Sequence, residues 1–501
     1  MSVAAAAALV PVSVLGTGTS ATAATTGCST HVASDFNGDG YADLATGAYG
    51  RNVGGEDGAG SIQVDYGSKT GLVASKSQYF DQNSTGMPTA PEYQASFGWS
   101  LVSGYFNADC YADLAIGVPG TDNSNGGVII LDGSATGLST TNAQLISSPD
   151  DAADFGDSLA VGDFNHDGHD DLAVGEPAIA QVRIFTGGGA QFPTASTAFT
   201  EQTRGMPNPP AKFVFDGFGT ALAAGDFNGD GAADLAIGVP AKSDGSANEA
   251  GAVYTLYGSG SSGLTTTGSQ LLNQSTSGVS GTSESGDHFG ASLAAGDVNG
   301  DGKADLVVGV PEESIGSVKS AGDFAYLPGG THGLTGAGSV RYDESSTGVP
   351  GTPSTDDQMG ASVAVGDFTG DGKADIAVGA PEDQAGSPAA DGGTVLVFKG
   401  SSSGPSLSGV KLFSQATSGV NGTPEDLDFF GNAVHAAAIY GGKDDALVIG
   451  ARLESSGSTM HNGYAVVLPS TSAGPTGTGS ALVAQSGPGN GNDADFGNAF
   501  G

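Results

Sequence analysis

The chain has 501 residues, 86 of them glycine, and its 54 acidic residues against 15 basic ones leave a net charge of −39. That balance excludes nucleic acid, whose phosphates need Lys and Arg, and it excludes anionic membrane surfaces. A 38% hydrophobic content, laid out in short regular runs, indicates a folded chain and leaves cation binding as the use of the charge.

Residues 1–26, MSVAAAAALVPVSVLGTGTSATAATT, read as an apolar segment with an Ala-x-Ala site at Ala21 to Ala23. No Lys or Arg precedes Arg51, so the segment is expected to be either a secretory leader or a flexible tail. Residues 27–501 are expected to form one repeat domain. No apolar run reaches about 18 residues, so no membrane span is expected. Two cysteines, Cys28 and Cys110, are too few for a disulfide scaffold.

The stretch DFNGDGYADL at Asp35 then recurs along the chain. A worn copy, YFNADCYADL, starts at Tyr105. DFNHDGHDDL follows at Asp163, DFNGDGAADL at Asp226, DVNGDGKADL at Asp297 and DFTGDGKADI at Asp367. IYGGKDDALVI, from Ile439, keeps only traces. Before the loops from Tyr105 to Asp367 stands a Phe-Gly or Met-Gly strand, as in FGASLAAGD at Phe289. After each comes a short strand ending in Gly-x-Pro, as in VGVP at Val308. Third and fourth strands follow, such as GAVYTLYG from Gly251 and QLL at Gln270. Each unit is thus four short strands with Gly/Asn/Asp turns and no helical periodicity.

A single four-stranded sheet cannot bury both faces, whereas seven placed radially can, which predicts an all-β seven-bladed propeller. The chain ends favour a ring over a linear array. DADFGNAFG, from Asp493, carries Phe-Gly without a loop, and the unit at Asp35 has the loop without Phe-Gly. Strands from both termini are therefore expected to complete one blade.

The loop pattern, D-x-N-x-D-G-x-x-D, offers side-chain oxygens at positions 1, 3, 5 and 9 and a carbonyl at position 7. Oxygen donors in that number suit Ca²⁺, and Gly at position 6 permits the sharp turn. Mg²⁺ ranks second, and no His or Cys side chain stands at a ligand position, which weighs against zinc. Position 12 is never Glu and the flanks are strands, so an EF-hand is excluded. About five calcium sites are expected. Four are complete: Asp35, Asn37, Asp39 and Asp43; Asp163, Asn165, Asp167 and Asp171; Asp226, Asn228, Asp230 and Asp234; Asp297, Asn299, Asp301 and Asp305. The fifth keeps Asp367, Asp371 and Asp375 with Thr369 in place of Asn, and the carbonyls come from Tyr41, His169, Ala232, Lys303 and Lys373. The copy at Tyr105 is expected to be empty or weak, and the copy at Ile439 to have no site. Because Cys28 and Cys110 flank adjacent loops on one face, they are read as a disulfide or as two free thiols.

Phe-Gly, the Asp loop and Gly-x-Pro together resemble the FG-GAP repeats of integrin α-subunit propellers and their secreted bacterial relatives. The resemblance implies a seven-bladed, calcium-binding extracellular propeller, and it supplies no ligand. Hairpin alternation places the long polar loops after Gly-x-Pro and before Phe-Gly on the opposite face, with Tyr93 a candidate contact. A G-x-S-x-G match at Gly400 to Gly404 lacks a strand-to-helix setting, and no His-Asp set stands apart from the loops. The expectation is a secreted, monomeric, noncatalytic adhesion module for an extracellular protein or glycan. The alternatives are a carbohydrate-binding lectin, or a hydrolase or lyase acting on an extracellular polymer or ester.

Overall fold

A computed structural model describes residues 32–501 except 151–152, 190–191, 193–194, 211–213, 261, 385–391, 455–461 and 486–494. The expected leader and Cys28 lie outside the described residues. Each repeat folds into an antiparallel sheet whose strands follow chain order outward from the ring axis. In the fifth blade these are Ser292–Gly296, Asp305–Val310, Asp323–Leu327 and Val340–Tyr342. Gly296 pairs with Asp305, so the Asp loop is the hairpin turn between the two inner strands.

Six blades have four strands of their own, and the first has three: Leu44–Ala48, Ser61–Asp65 and Gln78–Phe80. Its inner strand comes from the C-terminus. The Ala45 amide donates to the Gly501 carbonyl at 3.0 Å, Gly501 donates back at 3.1 Å, and Gly47 donates to Ala499 at 2.9 Å. Strands from both ends close the ring, as the chain ends predict.

The repeated glycines explain how blades fit together. The Gly-x-Pro strand of one blade runs under the Phe-Gly carbonyl of the next. A Cβ built on Gly309 would lie 2.0 Å from the Gly360 oxygen, and one on Gly379 would lie 2.0 Å from that of Gly431. Gly47, Gly117, Gly175 and Gly238 approach Gly98, Gly156, Gly219 and Gly290 in the same way, at 2.2, 2.2, 2.3 and 2.2 Å. Gly450 meets Gly497 at 1.9 Å, so the last junction repeats the others. At several junctions a serine seals the contact. Ser100, Ser158, Ser292 and Ser362 donate to the carbonyls of Gly156, Gly219, Gly360 and Gly431 at 2.6–2.8 Å. The motif aromatics Phe97, Phe155, Phe218, Phe289, Phe430 and Phe496, with Met359, are completely buried between sheets.

A second ring of bonds joins the Asp loops. The position-8 amide of each loop donates to the position-1 carbonyl of the preceding one: Ala112 to Asp35, Asp170 to Tyr105, Ala233 to Asp163, Ala304 to Asp226, Ala374 to Asp297 and Asp445 to Asp367, at 2.9–3.2 Å. Ala42 donates to Ala438 at 3.3 Å and completes the circle. That bond sets the seventh copy to begin at Ala438, one residue before the start at Ile439 suggested by sequence alignment.

Two stability predictions follow from the junctions. Gly309→Ala should cost several kcal/mol, because its Cβ meets backbone that cannot move aside. Gly260→Ala, with nothing within 4 Å of its Cβ, should stay within about 0.5 kcal/mol by urea titration. His435 packs beside Phe500 of the closing strand, ring centroids 6.3 Å apart, with neither ring nitrogen hydrogen-bonded. Burial pushes its pKa down to about 4, so the folded state favours neutral imidazole. The unfolded chain binds the extra proton first, so this stability is full above the ordinary His value and is lost as pH falls toward 4. Relative to His435→Leu, the wild type should lose up to about 3 kcal/mol between pH 6.5 and pH 4, read from paired melts. A pH-independent difference would contradict it.

Candidate functional site

Each Asp loop is anchored by its second residue. Phe36, Phe164, Phe227, Val298 and Phe368 have no exposed surface, so the backbone on either side is fixed. The acids then order the turn. Asp226 accepts the amides of Asp230 at 3.1 Å and Gly231 at 2.8 Å, and Asp230 accepts the Ala232 amide at 3.0 Å. Asp35 receives Asp39 and Gly40, Asp163 receives Asp167 and Gly168, Asp297 receives Asp301 and Gly302, and Asp367 receives Asp371 and Gly372. The amides of the position-7 residues Tyr41, His169, Lys303 and Lys373 bond to Asp39, Asp167, Asp301 and Asp371.

The ninth residue ties the loop to the turn between the outer strands. Asp43, Asp171, Asp234, Asp305 and Asp375 accept the amides of Gly67, Gly187, Gly258, Gly329 and Gly400 at 2.8–2.9 Å. Asn37, Asn228 and Asn299 lay their side-chain amides on Asp43, Asp234 and Asp305 at 3.1–3.4 Å. Sequence reasoning missed the glycine partners, although a Gly after the third strand recurs in these units.

Burial is the main force on the position-9 carboxyls, with the position-1 carboxylate adding repulsion. Together they push Asp43 and Asp234 up to about 8, Asp171 and Asp305 to about 7 and Asp375 to about 6. An all-oxygen donor set whose position-9 carboxyl is this reluctant to ionise fits a hard divalent cation. Within each loop the carboxylates are spread over backbone donors. Among the described residues, the trios of acids gathered within 4.8 Å are two others, Glu344 with Asp357 and Asp383, and Glu425 with Asp428 and Glu454.

The worn second loop lacks the first acid. The Tyr105 amide is held by Asp170 at 2.8 Å and its hydroxyl donates to the Val32 carbonyl at 2.8 Å. Cys110 occupies the turn glycine's place at φ 73° and is disulfide-bonded.

The opposite face carries the connections between blades and the loops after Gly-x-Pro. There a cleft across the first three blades is lined by Tyr49, Tyr93, Trp99, Pro119, Asp154 and Asp157. Trp99, the single tryptophan, packs edge-on against Tyr49 with centroids 4.7 Å apart, and Tyr93 is 62% exposed. Burial, then repulsion from Asp154, raises the Asp157 carboxyl to about 7. Phe215, 79% exposed, stands on the same face in the connection to the fourth blade. The sequence singled out Tyr93 but not Trp99, which sits inside a motif read as structural.

Among the described residues, no helix is long and apolar enough to cross a membrane. The FG-GAP repeat family matches residues 29–65, 155–180, 218–256, 289–341 and 359–398. The chain is 31% identical over 194 residues to phosphatidylinositol-glycan-specific phospholipase D of Rattus norvegicus, covering 35% of this chain and 22% of that protein. It is 30% identical over 246 residues to integrin alpha-5 of Xenopus laevis, covering 46% of this chain and 21% of that one. The chain therefore matches about a fifth of the length of these relatives. A bat influenza N11 neuraminidase-like protein aligns over 79% of this chain and 91% of its own at TM-score 0.36 and 10% identity, too low to add to the fold. Blade architecture, ring closure and repeat motifs agree with the family matches: the chain is an FG-GAP repeat protein, a seven-bladed propeller related to the integrin α-subunits.

Proposed function

We propose that the chain is a secreted, monomeric propeller, stabilised by about five Ca²⁺ ions, that binds an extracellular protein or glycan without chemically altering it. The observation that carries this reading is the division of labour between faces. Acids and backbone bonds fill the loop face, while Trp99, Tyr49 and the exposed Tyr93 line a cleft on the other. Aromatic rings of this kind supply large contact area at low entropic cost, and they stack on sugar rings as readily as on protein side chains. A calcium ion in each loop would supply positive charge to the position-9 carboxyls, whose pKa values burial raises. A Cys28–Cys110 disulfide fits an oxidising compartment. A hydrolase or lyase is the second reading, favoured by the carboxyl pair Asp154 and Asp157 in the same cleft.

Calcium is tested by chelation at two pH values. A carboxyl whose folded pKa is raised contributes stability below its unfolded value and loses it as pH rises through the folded one. Metal-free protein can keep the position-9 acids protonated at pH 5, whereas at pH 8 Asp171, Asp305 and Asp375 are ionised and Asp43 and Asp234 are midway through their titration. Protein stripped of Ca²⁺ with EGTA at pH 8 and exchanged into metal-free buffer should therefore melt on the order of ten degrees below the Ca²⁺-loaded protein at pH 8 and much less below it at pH 5. Identical melts with and without EGTA at pH 8 would rule calcium out.

Binding is tested on glycan and matrix-protein arrays. Capture is expected on at least one of them, and Trp99→Ala or Tyr93→Ala should weaken it by roughly tenfold or more. Turnover of a polysaccharide or ester that Asp157→Asn abolishes, with no capture, would favour the enzyme reading.

A further inference from the structure

On the face opposite the Asp loops, each of the last four blade junctions repeats one buried polar pocket. Three positions build it: the residue four before the Gly of the connection, the residue two before the Phe-Gly glycine's neighbour, and the third residue past the Gly-x-Pro strand's last apolar side chain. At the fourth blade these are Glu201, Asp216 and Lys242. Lys242 lies between the two acids, paired with Glu201 and 3.5 Å from Asp216. At the fifth they are Gln274, Asp287 and Glu313. Gln274 donates to Glu313 at 2.9 Å and Arg341 pairs with Glu313 at 3.0 Å. At the seventh they are Gln415, Asp428 and Glu454, and Gln415 donates to Glu454 at 2.7 Å.

The sixth junction breaks the pattern. Its three residues are Glu344, Asp357 and Asp383, all buried, with one oxygen from each within 4.8 Å of the others. An acid stands where the fourth blade has its lysine, and an acid stands where the fifth and seventh have a glutamine amide. Glu344 is 6% exposed and neither carboxylate oxygen has a hydrogen-bond partner. The space it occupies is kept open by Gly351, whose Cβ would fall 1.9 Å from Glu344 Oε1. Asp357 accepts the Ser354 amide and Asp383 accepts the Thr394 hydroxyl at 2.6 Å, so Glu344 is the acid left to face two buried carboxyls. Burying an acid in that way is costly; the fourth pocket answers it with a lysine, the fifth with an arginine, and the seventh, which also gathers Glu425, Asp428 and Glu454, with the Gln415 amide.

We propose that the Glu344, Asp357 and Asp383 carboxylates bind one Ca²⁺ ion, which takes the place that the Lys242 ammonium fills two blades earlier. A triangle of oxygens with edges no longer than 4.8 Å has a centre at most about 2.8 Å from each corner, a bound that admits Ca²⁺–oxygen distances, and a pocket with room for further water ligands suits the higher coordination number of Ca²⁺. The donors are all hard oxygens, which disfavours zinc. A cleft lined by Pro350, Thr352, Ser354, Asp383 and Leu412 opens onto the pocket and admits the ion and its remaining water ligands. The site is separate from the Asp loops in sequence and in face, and it holds the fifth and sixth blades together.

The test counts calcium per full-length chain by elemental analysis after equilibrium dialysis in CaCl₂. Asp383→Lys rebuilds the fourth-blade arrangement, and Glu344→Gln installs the residue found at the fifth and seventh junctions. Either variant should bind one Ca²⁺ fewer than the wild type, and Asp383→Lys should melt higher than the wild type in EGTA because its ammonium replaces the ion. Glu344→Gln changes one atom and covers the case in which the lysine variant does not fold. Wild-type stoichiometry in the folded variants, or no calcium bound by the wild type, overturns the proposal. Because the readout is a difference of one ion, it stands whether or not the Asp loops bind calcium and whatever the cleft at Trp99 captures.

Discussion

The close approach of backbone to backbone at each blade junction is the constraint on which the rest depends. Wherever a Gly-x-Pro strand passes beneath the next Phe-Gly carbonyl, no side chain fits, and the same geometry recurs from Gly47 against Gly98 round to Gly450 against Gly497. Sheets brought that near can bury Phe97, Phe155 or Phe289 completely. They also place serine hydroxyls such as Ser292 within reach of the neighbouring carbonyl. Tight packing costs conformational entropy at many glycines, and the buried aromatics and interblade bonds offset it. The closing strand needs no special device, because Gly497 and Phe496 reproduce at the C-terminus the contact made at every other junction.

Ring closure also explains how the two faces come to differ. The hairpin turns between inner strands all fall on one face, where position-8 amides link each loop to the one before. Those loops are held at both ends and have little freedom to follow a ligand. The connections between blades fall on the other face and differ in length and sequence. Aromatic side chains there, Tyr93 and Phe215 among them, are left exposed. A rigid disk with one bonded face and one variable face presents a binding surface without having to move.

Much of this was legible in the repeats. D-x-N-x-D-G-x-x-D between strand-like runs located the turns, Phe-Gly and Gly-x-Pro located the junctions, and the unmatched chain ends indicated closure. Other features were not legible because they depend on partners far away in sequence. Ser100 reads as one more small polar residue until Gly156 lies 2.7 Å from its hydroxyl. The start of the seventh copy shifts to Ala438 only because Ala42 bonds there. Trp99 is hidden inside a structural motif, and its packing against Tyr49 joins the first two blades.

Local physics therefore determined the parts: strand periodicity, turn chemistry and glycine placement act over a few residues and can be read directly. Tertiary structure decided which parts meet. Glu344, Asp357 and Asp383 are separated by 13 and 26 residues and carry no motif, yet the fifth and sixth blades bring their carboxylates within 4.8 Å. Desolvation and charge repulsion act through space, so a cluster of acids gains chemical meaning only once the fold has set the distances between them.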